Sequence, residues 1–290
     1  MRKTNFSLAQ RLIIRGRQTA YKSKTSSPYI SPDGIAENCG LVIQTEHELQ
    51  EFSRLRSIPN IVYCKSSLVS HLNNSLISPT EKRILVAGNC DYEFHSKVML
   101  PSKIFHNFYL QNSFISDNKN IFTLPIGIEN LSIGINGLKK NFKHPKNWNQ
   151  KLKKILVGPF SPSHQGREII LQSASNRPDL FDVFFDFIRP DKFAKLMSEY
   201  RYVLCPRGNG EDTHRFWEAL YRGAVPIVLK NVWSQSLDCL GFPFIQVSSW
   251  EQVQIEVDKF EKNFFGFNPK SISPLWLDHW KNSWKDLIKE

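Results

Sequence analysis

Short apolar runs alternate with helical patterns along almost the whole chain, and this alternation restricts the fold more than any other feature. Leu41–Thr45, Ile61–Cys64, Arg83–Ala87 and the strand-and-turn Phe122–Ile128 read as strands, with Glu46–Arg56 helical between the first two. Lys103–Leu110 reads as an aromatic-rich helix. After a polar stretch from Gly137 to Asn149 the rhythm restarts. Lys154–Gly158, Phe181–Phe185, Tyr202–Cys205 and Val225–Leu229 are expected strands. Ser163–Ser175, Pro190–Ser198, Asp212–Arg222 and Ser249–Asn263 are expected helices. Such a β–α rhythm predicts an α/β protein with open, mostly parallel sheets covered by helices. The break near 137–150 splits it into two Rossmann-like units. The expected boundaries are a polar lead-in over 1–32, a first domain over 33–145, a second over 146–270 and a helical tail over 271–290. Ligands of such sheets bind outside the carboxyl ends of the strands.

One segment concentrates chemistry. Leu204-Cys-Pro-Arg-Gly-Asn-Gly-Glu-Asp-Thr-His-Arg-Phe-Trp-Glu-Ala-Leu220 joins a strand end to a helix through a loop with two glycines, Gly208 and Gly210, flanking Asn209. Glycines allow close backbone approach, and a helix start near Asp212 directs N–H groups and a positive dipole end toward an anion. Arg207 can add a forked contact to a phosphate. Along the helix Phe216, Ala219, Leu220 and Gly223 form an apolar stripe, while Glu211, His214, Arg215 and Glu218 share another face. Glu218 is then about two turns in, roughly 9–10 Å along the axis, a separation that suits a ribose held beyond a diphosphate. The plainer alternatives are an Arg215–Glu218 ion pair on a solvated face, a capping role for Asp212 and a passive surface His214.

The same segment resembles the signature of exostosin-like glycosyltransferases and their bacterial and viral relatives. The matching residues are Pro206-Arg207-Gly208, Arg215-Phe216-Trp217-Glu218-Ala219-Leu220 and Gly223-Ala224-Val225-Pro226. Weaker similarity covers Leu124–Asn130 and Gly158–Arg167. The resemblance implies a GT-B-like fold, two Rossmann-like domains facing across a cleft, with 33–145 on the acceptor side and 146–270 binding the donor. It implies a UDP- or GDP-linked sugar as donor and a glycan or lipid-linked glycan as acceptor. It implies no cofactor and no obligatory metal. Glu218 would hold the ribose, Arg207 and Arg215 would neutralise the diphosphate, and Arg167 would reach the phosphates from the same domain. The resemblance leans toward inversion, which needs a base on the acceptor side. Asp91, after a strand end, is the candidate, with Glu93, His95 and Glu129 as rivals. Tyr92, Phe108, Tyr109 and the aromatic tail are candidates for acceptor contacts, or for packing. A catalytically inactive protein that holds a sugar nucleotide or a glycan is the alternative.

Charge and cysteine usage bound the remaining classes. The formal net charge of +11 favours anionic partners. The basic residues are dispersed, with short clusters at Arg11–Arg17 and Lys139–Lys146, and no nucleic-acid motif accompanies them, so no nucleic-acid partner is expected. The five cysteines are odd in number and contain no CxxC pair, which reads as free thiols in a reducing compartment rather than a disulfide or zinc framework. Leu12–Ile14 is too short for a signal-peptide core or a membrane span. A cytoplasmic protein is expected, with the basic N-terminal arm a candidate for peripheral membrane contact.

Overall fold

The computed structural model describes residues 27–78, 81–116, 119–131, 136–143 and 145–289. The basic N-terminal arm lies outside them. The chain divides into two compact units, 1–126 with 277–290 and 127–276. Each is α/β and Rossmann-like, and each holds a five-stranded sheet whose pairings are all parallel.

In the first unit α1 (Pro32–Glu37) precedes β1 (Leu41–Ile43), α2 (Glu46–Ser53), β2 (Ile61–Lys65), β3 (Ile84–Gly88), β4 (Asn107–Leu110) and β5 (Ile121–Thr123). The strands lie side by side in chain order, β1-β2-β3-β4-β5. Local signals set the helix starts. Ser31 accepts from Gly34 N at 3.1 Å ahead of Pro32. Thr45 and Glu48 close a reciprocal capping box at the start of α2. Val62, Cys64, Leu85, Ala87, Phe108 and Leu110 build the core with Phe52, Phe94 and Phe105.

The helix expected over Lys103–Leu110 is instead a turn leading into β4. Asn107-Phe-Tyr-Leu110 pairs with β3 on one side and β5 on the other, with Phe108 and Tyr109 both buried. A central strand covered on both faces reads as a continuous apolar run, which periodicity alone does not distinguish from a helix. Phe108 and Tyr109 are therefore packing residues. Tyr109 stacks on Phe122 at 4.8 Å, meets Trp280 and Trp284 edge-on, and shares a 2.8 Å hydrogen bond with Ser283. These last three residues belong to the C-terminal helix, Leu277–Lys289, which buries Leu277, Trp280 and Trp284 at spacings of three and four.

The second unit contains β6 (Leu152–Val157), α3 (Gly166–Ser175), β7 (Phe181–Val183), α4 (Pro190–Ser198), β8 (Tyr200–Leu204), α5 (His214–Tyr221), β9 (Val225–Leu229), α6 (Val232–Ser236), β10 (Ile245–Val247) and α7 (Val253–Glu261). The C-terminal helix is α8. Ser249–Asn263 is expected as one helix but begins with a 3-10 turn at Trp250–Gln252. The short elements α6 and β10 have no counterpart in the sequence reading. The strand order is β10-β9-β8-β6-β7. After β7 the chain returns to the other side of β6, so the order reverses between β6 and β8. At such a switch point the loops leaving two neighbouring strands diverge and open a crevice at their carboxyl ends. The first sheet, laid down in strict sequence, has none.

Candidate functional site

Both loops that leave this switch point carry residues singled out above. The loop after β6 starts at Gly158, whose φ is +71° and where an added Cβ would sit 2.3 Å from the Phe184 carbonyl. Only glycine satisfies both conditions. The loop runs through Phe160, Ser161 and Ser163 into α3, and so delivers Arg167 to the loop after β8.

Arg167 bridges the two loops. Its Nε donates to the Arg207 carbonyl at 2.8 Å and its Nη2 to the Pro206 carbonyl at 3.3 Å. Its Nη1 donates to Ser163 Oγ at 2.8 Å and Ser161 Oγ at 3.0 Å. Gly208 leaves room for the approach, since a Cβ there would lie 3.0 Å from Arg167 Nη2 and push the guanidinium back slightly. Arg207, partly exposed, donates to the Asn209 carbonyl at 3.0 Å and pairs with the buried Glu211 at 3.5 Å. Gly208 N donates to the Gly210 carbonyl, closing a tight turn with Asn209 exposed at its tip. Arg167, Arg207, Gly208, Asn209 and Gly210 thus form one cluster at the carboxyl ends of β6 and β8.

The helix that follows begins later than expected, at His214 with Thr213 as its N-cap. Asp212 turns inward, is buried, and accepts from Trp217 Nε1 at 2.6 Å. His214 Nδ1 donates to the Gly127 carbonyl at 2.8 Å. Arg215 stacks on Phe193 at 4.3 Å and on Phe160 at 5.4 Å, and donates to the Gly158 and Pro159 carbonyls. The guanidinium therefore props the loop after β6 from beneath. Phe216, Ala219 and Leu220 are buried as the apolar stripe requires, and Gly223, at φ +66°, ends the helix ahead of β9.

With the helix starting at His214, Glu218 lies a little over one turn in, about 6 Å along the axis rather than 9–10 Å. It is half-buried and lines a small cavity of about 20 Å³ with Asn141, Phe142, Phe193, Met197 and Arg222. Burial raises its carboxyl pKa. Arg215 and His214 oppose the shift, Glu129 adds to it and Arg222 opposes it. Among the described residues only charge–charge effects, and no hydrogen bond, reach the Glu218 carboxylate.

Glu129 is the neighbour that sequence reasoning placed elsewhere, as a rival base on the acceptor side. It belongs to the second unit, and its buried Oε2 has no hydrogen-bond partner among the described residues. Phe160, Ser161 and Ser163 lie in the segment of weaker similarity but, like Phe193, carried no role in the sequence analysis. The available signal was a Pro-Phe-Ser run directly after a strand, and nothing in the sequence shows that Phe193 faces Arg215. Asp91 is exposed in the loop after β3 of the first unit. Burial pushes the Cys205 thiol, at the end of β8, up to about 12, so it stays a neutral packing group.

Among the described residues no three His, Cys, Asp or Glu side chains converge as a metal-ligand set. No helix among them is long and apolar enough to cross a membrane. No family model matches the chain.

Proposed function

We propose that this protein is an exostosin-like glycosyltransferase of GT-B type that moves a sugar from a nucleotide diphosphate to a hydroxyl of a glycan or glycoconjugate. The second unit takes the donor in this reading, and the first supplies the acceptor side with Asp91 as base for an inverting transfer. Bond cleavage between the anomeric carbon and the phosphate leaves negative charge on the departing diphosphate. Fixed guanidinium and N–H groups stabilise such charge without requiring a metal. Arg207 is the direct phosphate contact. Arg167 holds the loop and adds its charge, and Arg215 adds charge from behind the Gly158–Phe160 segment. Glu218 accepts hydrogen bonds from the ribose.

The observation that carries this reading is the meeting of Arg167 and the Arg207–Gly210 turn at the switch point of the second sheet, with the Glu218 carboxylate one turn along α5. The test is transfer and donor hydrolysis with a panel of UDP- and GDP-sugars, run with and without EDTA. Turnover of one donor that persists in EDTA is expected. Activity lost in EDTA and restored by Mn²⁺ would overturn the metal-independent mechanism, and no turnover with any donor would overturn transfer.

One observation favours the alternative, a protein that binds a sugar nucleotide without turnover. Arg207 is paired with Glu211, and Arg215 is committed to two carbonyls and two rings. Saturable donor binding without product separates the two readings.

A further inference from the structure

At the other end of the second sheet lies a groove of about 600 Å³, within the range of small-molecule sites. It is built where the chain enters β6 and β8, so the length of β8, about 16 Å at 3.3 Å per residue, separates it from the turn after Cys205. Its cationic lining comes from Lys140, Lys143 and Lys146, from Lys195 on α4, and from Arg222 at the C-terminal end of α5. Two carboxylates share the wall, and each already has a cation. Glu199 pairs with Lys146 at 2.5 Å and Asp191 with Arg189 at 3.3 Å. Lys140, Lys143 and Lys195 are exposed and have no hydrogen-bond or ion-pair partner among the described residues.

A further amine lies beneath the floor. Lys151 is buried beneath the groove and donates to the Ser198 and Arg222 carbonyls at 2.6 and 2.9 Å. Burial lowers its pKa to about 7; Glu199 opposes the shift, while the charges of Arg222 and Lys146 add to it. A concave wall with three uncompensated ammonium groups focuses positive potential on whatever enters. A flat lysine patch would not do this, because water screens each charge separately.

We propose that this groove is a second ligand site, for a phosphate-bearing group, held by Lys140, Lys143 and Lys195. Three convergent point charges suit a group carrying two or more negative charges, and the paired carboxylates of Asp191 and Glu199 can accept from hydroxyls attached to it. The chemistry is shared by a soluble phosphorylated sugar and a phospholipid headgroup. The site does not depend on sugar transfer at the switch point.

The experiment compares the unmodified protein with the triple variant Lys140→Gln, Lys143→Gln, Lys195→Gln. A control triple, Lys230→Gln, Lys262→Gln, Lys270→Gln, removes the same net charge from exposed positions elsewhere in the second unit. Binding of fructose 1,6-bisphosphate is followed by calorimetry, and binding to phosphatidylglycerol vesicles by co-sedimentation. The expected result is a loss of at least tenfold in affinity for one of the two probes in the groove triple, less than twofold in the control triple, and no change in Arg207→Ala. Which probe responds identifies the source of the phosphate group. Equal loss in both triples, loss in Arg207→Ala instead, or binding of neither probe would overturn the site. Unfolding midpoints of the unliganded variants show whether each remains folded.

Discussion

Asp212 Oδ1 accepts a 2.6 Å hydrogen bond from the indole Nε1 of Trp217, and both residues are buried. The carboxylate therefore serves the fold of the turn before it can serve any ligand. Asp212→Ala should destabilise the protein by about 1–3 kcal/mol, because the indole N–H is left without its acceptor. Asp212→Asn keeps an acceptor oxygen and should cost less. Denaturant unfolding of the two variants measures the difference, and equal losses would show that charge rather than the hydrogen bond matters.

Glu218 has a raised pKa in the folded protein, chiefly through burial. A carboxyl of this kind binds its proton more tightly folded than unfolded. Its contribution therefore favours the folded state most at low pH and is lost as pH rises from the unfolded value through the folded one. Glu218→Gln should raise the unfolding midpoint at pH 7 and flatten the decline of stability above the ordinary glutamate range. The same variant should weaken donor binding by roughly tenfold or more, since hydrogen bonds to a charged group are worth about 1.5–3 kcal/mol. Stabilisation without any loss of donor affinity would leave Glu218 a buried acid with no ligand.

Arg167 and Arg207 sit in the same cluster and should respond differently. Arg167→Ala removes the donors to the Ser161, Pro206 and Arg207 carbonyls and to two serine hydroxyls, and should lower both stability and turnover. Arg207→Ala leaves the Arg167 bridge in place and should reduce turnover tenfold or more with a smaller change in unfolding midpoint. Paired unfolding and steady-state measurements separate loop support from ligand contact.

Lys151 predicts an opposite pH trend. Its pKa falls from 10.5 to about 7 on folding, so the unfolded chain binds more protons between those values and stability should rise with pH across that window. In Lys151→Met this rise should be absent. Unfolding measured from pH 7 to 10 in both proteins tests the sign.

Cysteine reactivity gives a direct check on burial. Cys39, Cys64 and Cys205 are buried with thiol pKa values raised by desolvation, Cys90 is half-buried and Cys239 is exposed. Alkylation of the native protein should label Cys239 first and leave the three buried thiols intact, whereas all five should react in denaturant. Mass spectrometry of the peptides reads the order.

How much of this was legible in the sequence depends on where each signal lies. Val225–Leu229 and Pro190–Ser198 were readable to the residue, the first as a short apolar run rich in β-branched residues and the second as a Pro-initiated amphipathic stretch. The turn at Gly208 was readable from its glycines. Strand order was not, because β6 and β8 become neighbours only through a crossover that local pattern does not encode. The bridge from Arg167 to the Arg207 carbonyl depends on that pairing. Arg215 was assigned to the polar stripe of the helix, but its aromatic partners come from two distant segments. Asp212 looked like a cap because spacing shows position and not the direction in which a side chain turns.

The helix Leu277–Lys289 packs on Tyr109 of β4, with 150 residues of the second unit inserted before it in the chain. The first unit therefore cannot close until the chain has been made through the whole of the second. Until that helix emerges from the ribosome, the aromatic surface around Tyr109 stays open, which is when a chaperone would have most to hold.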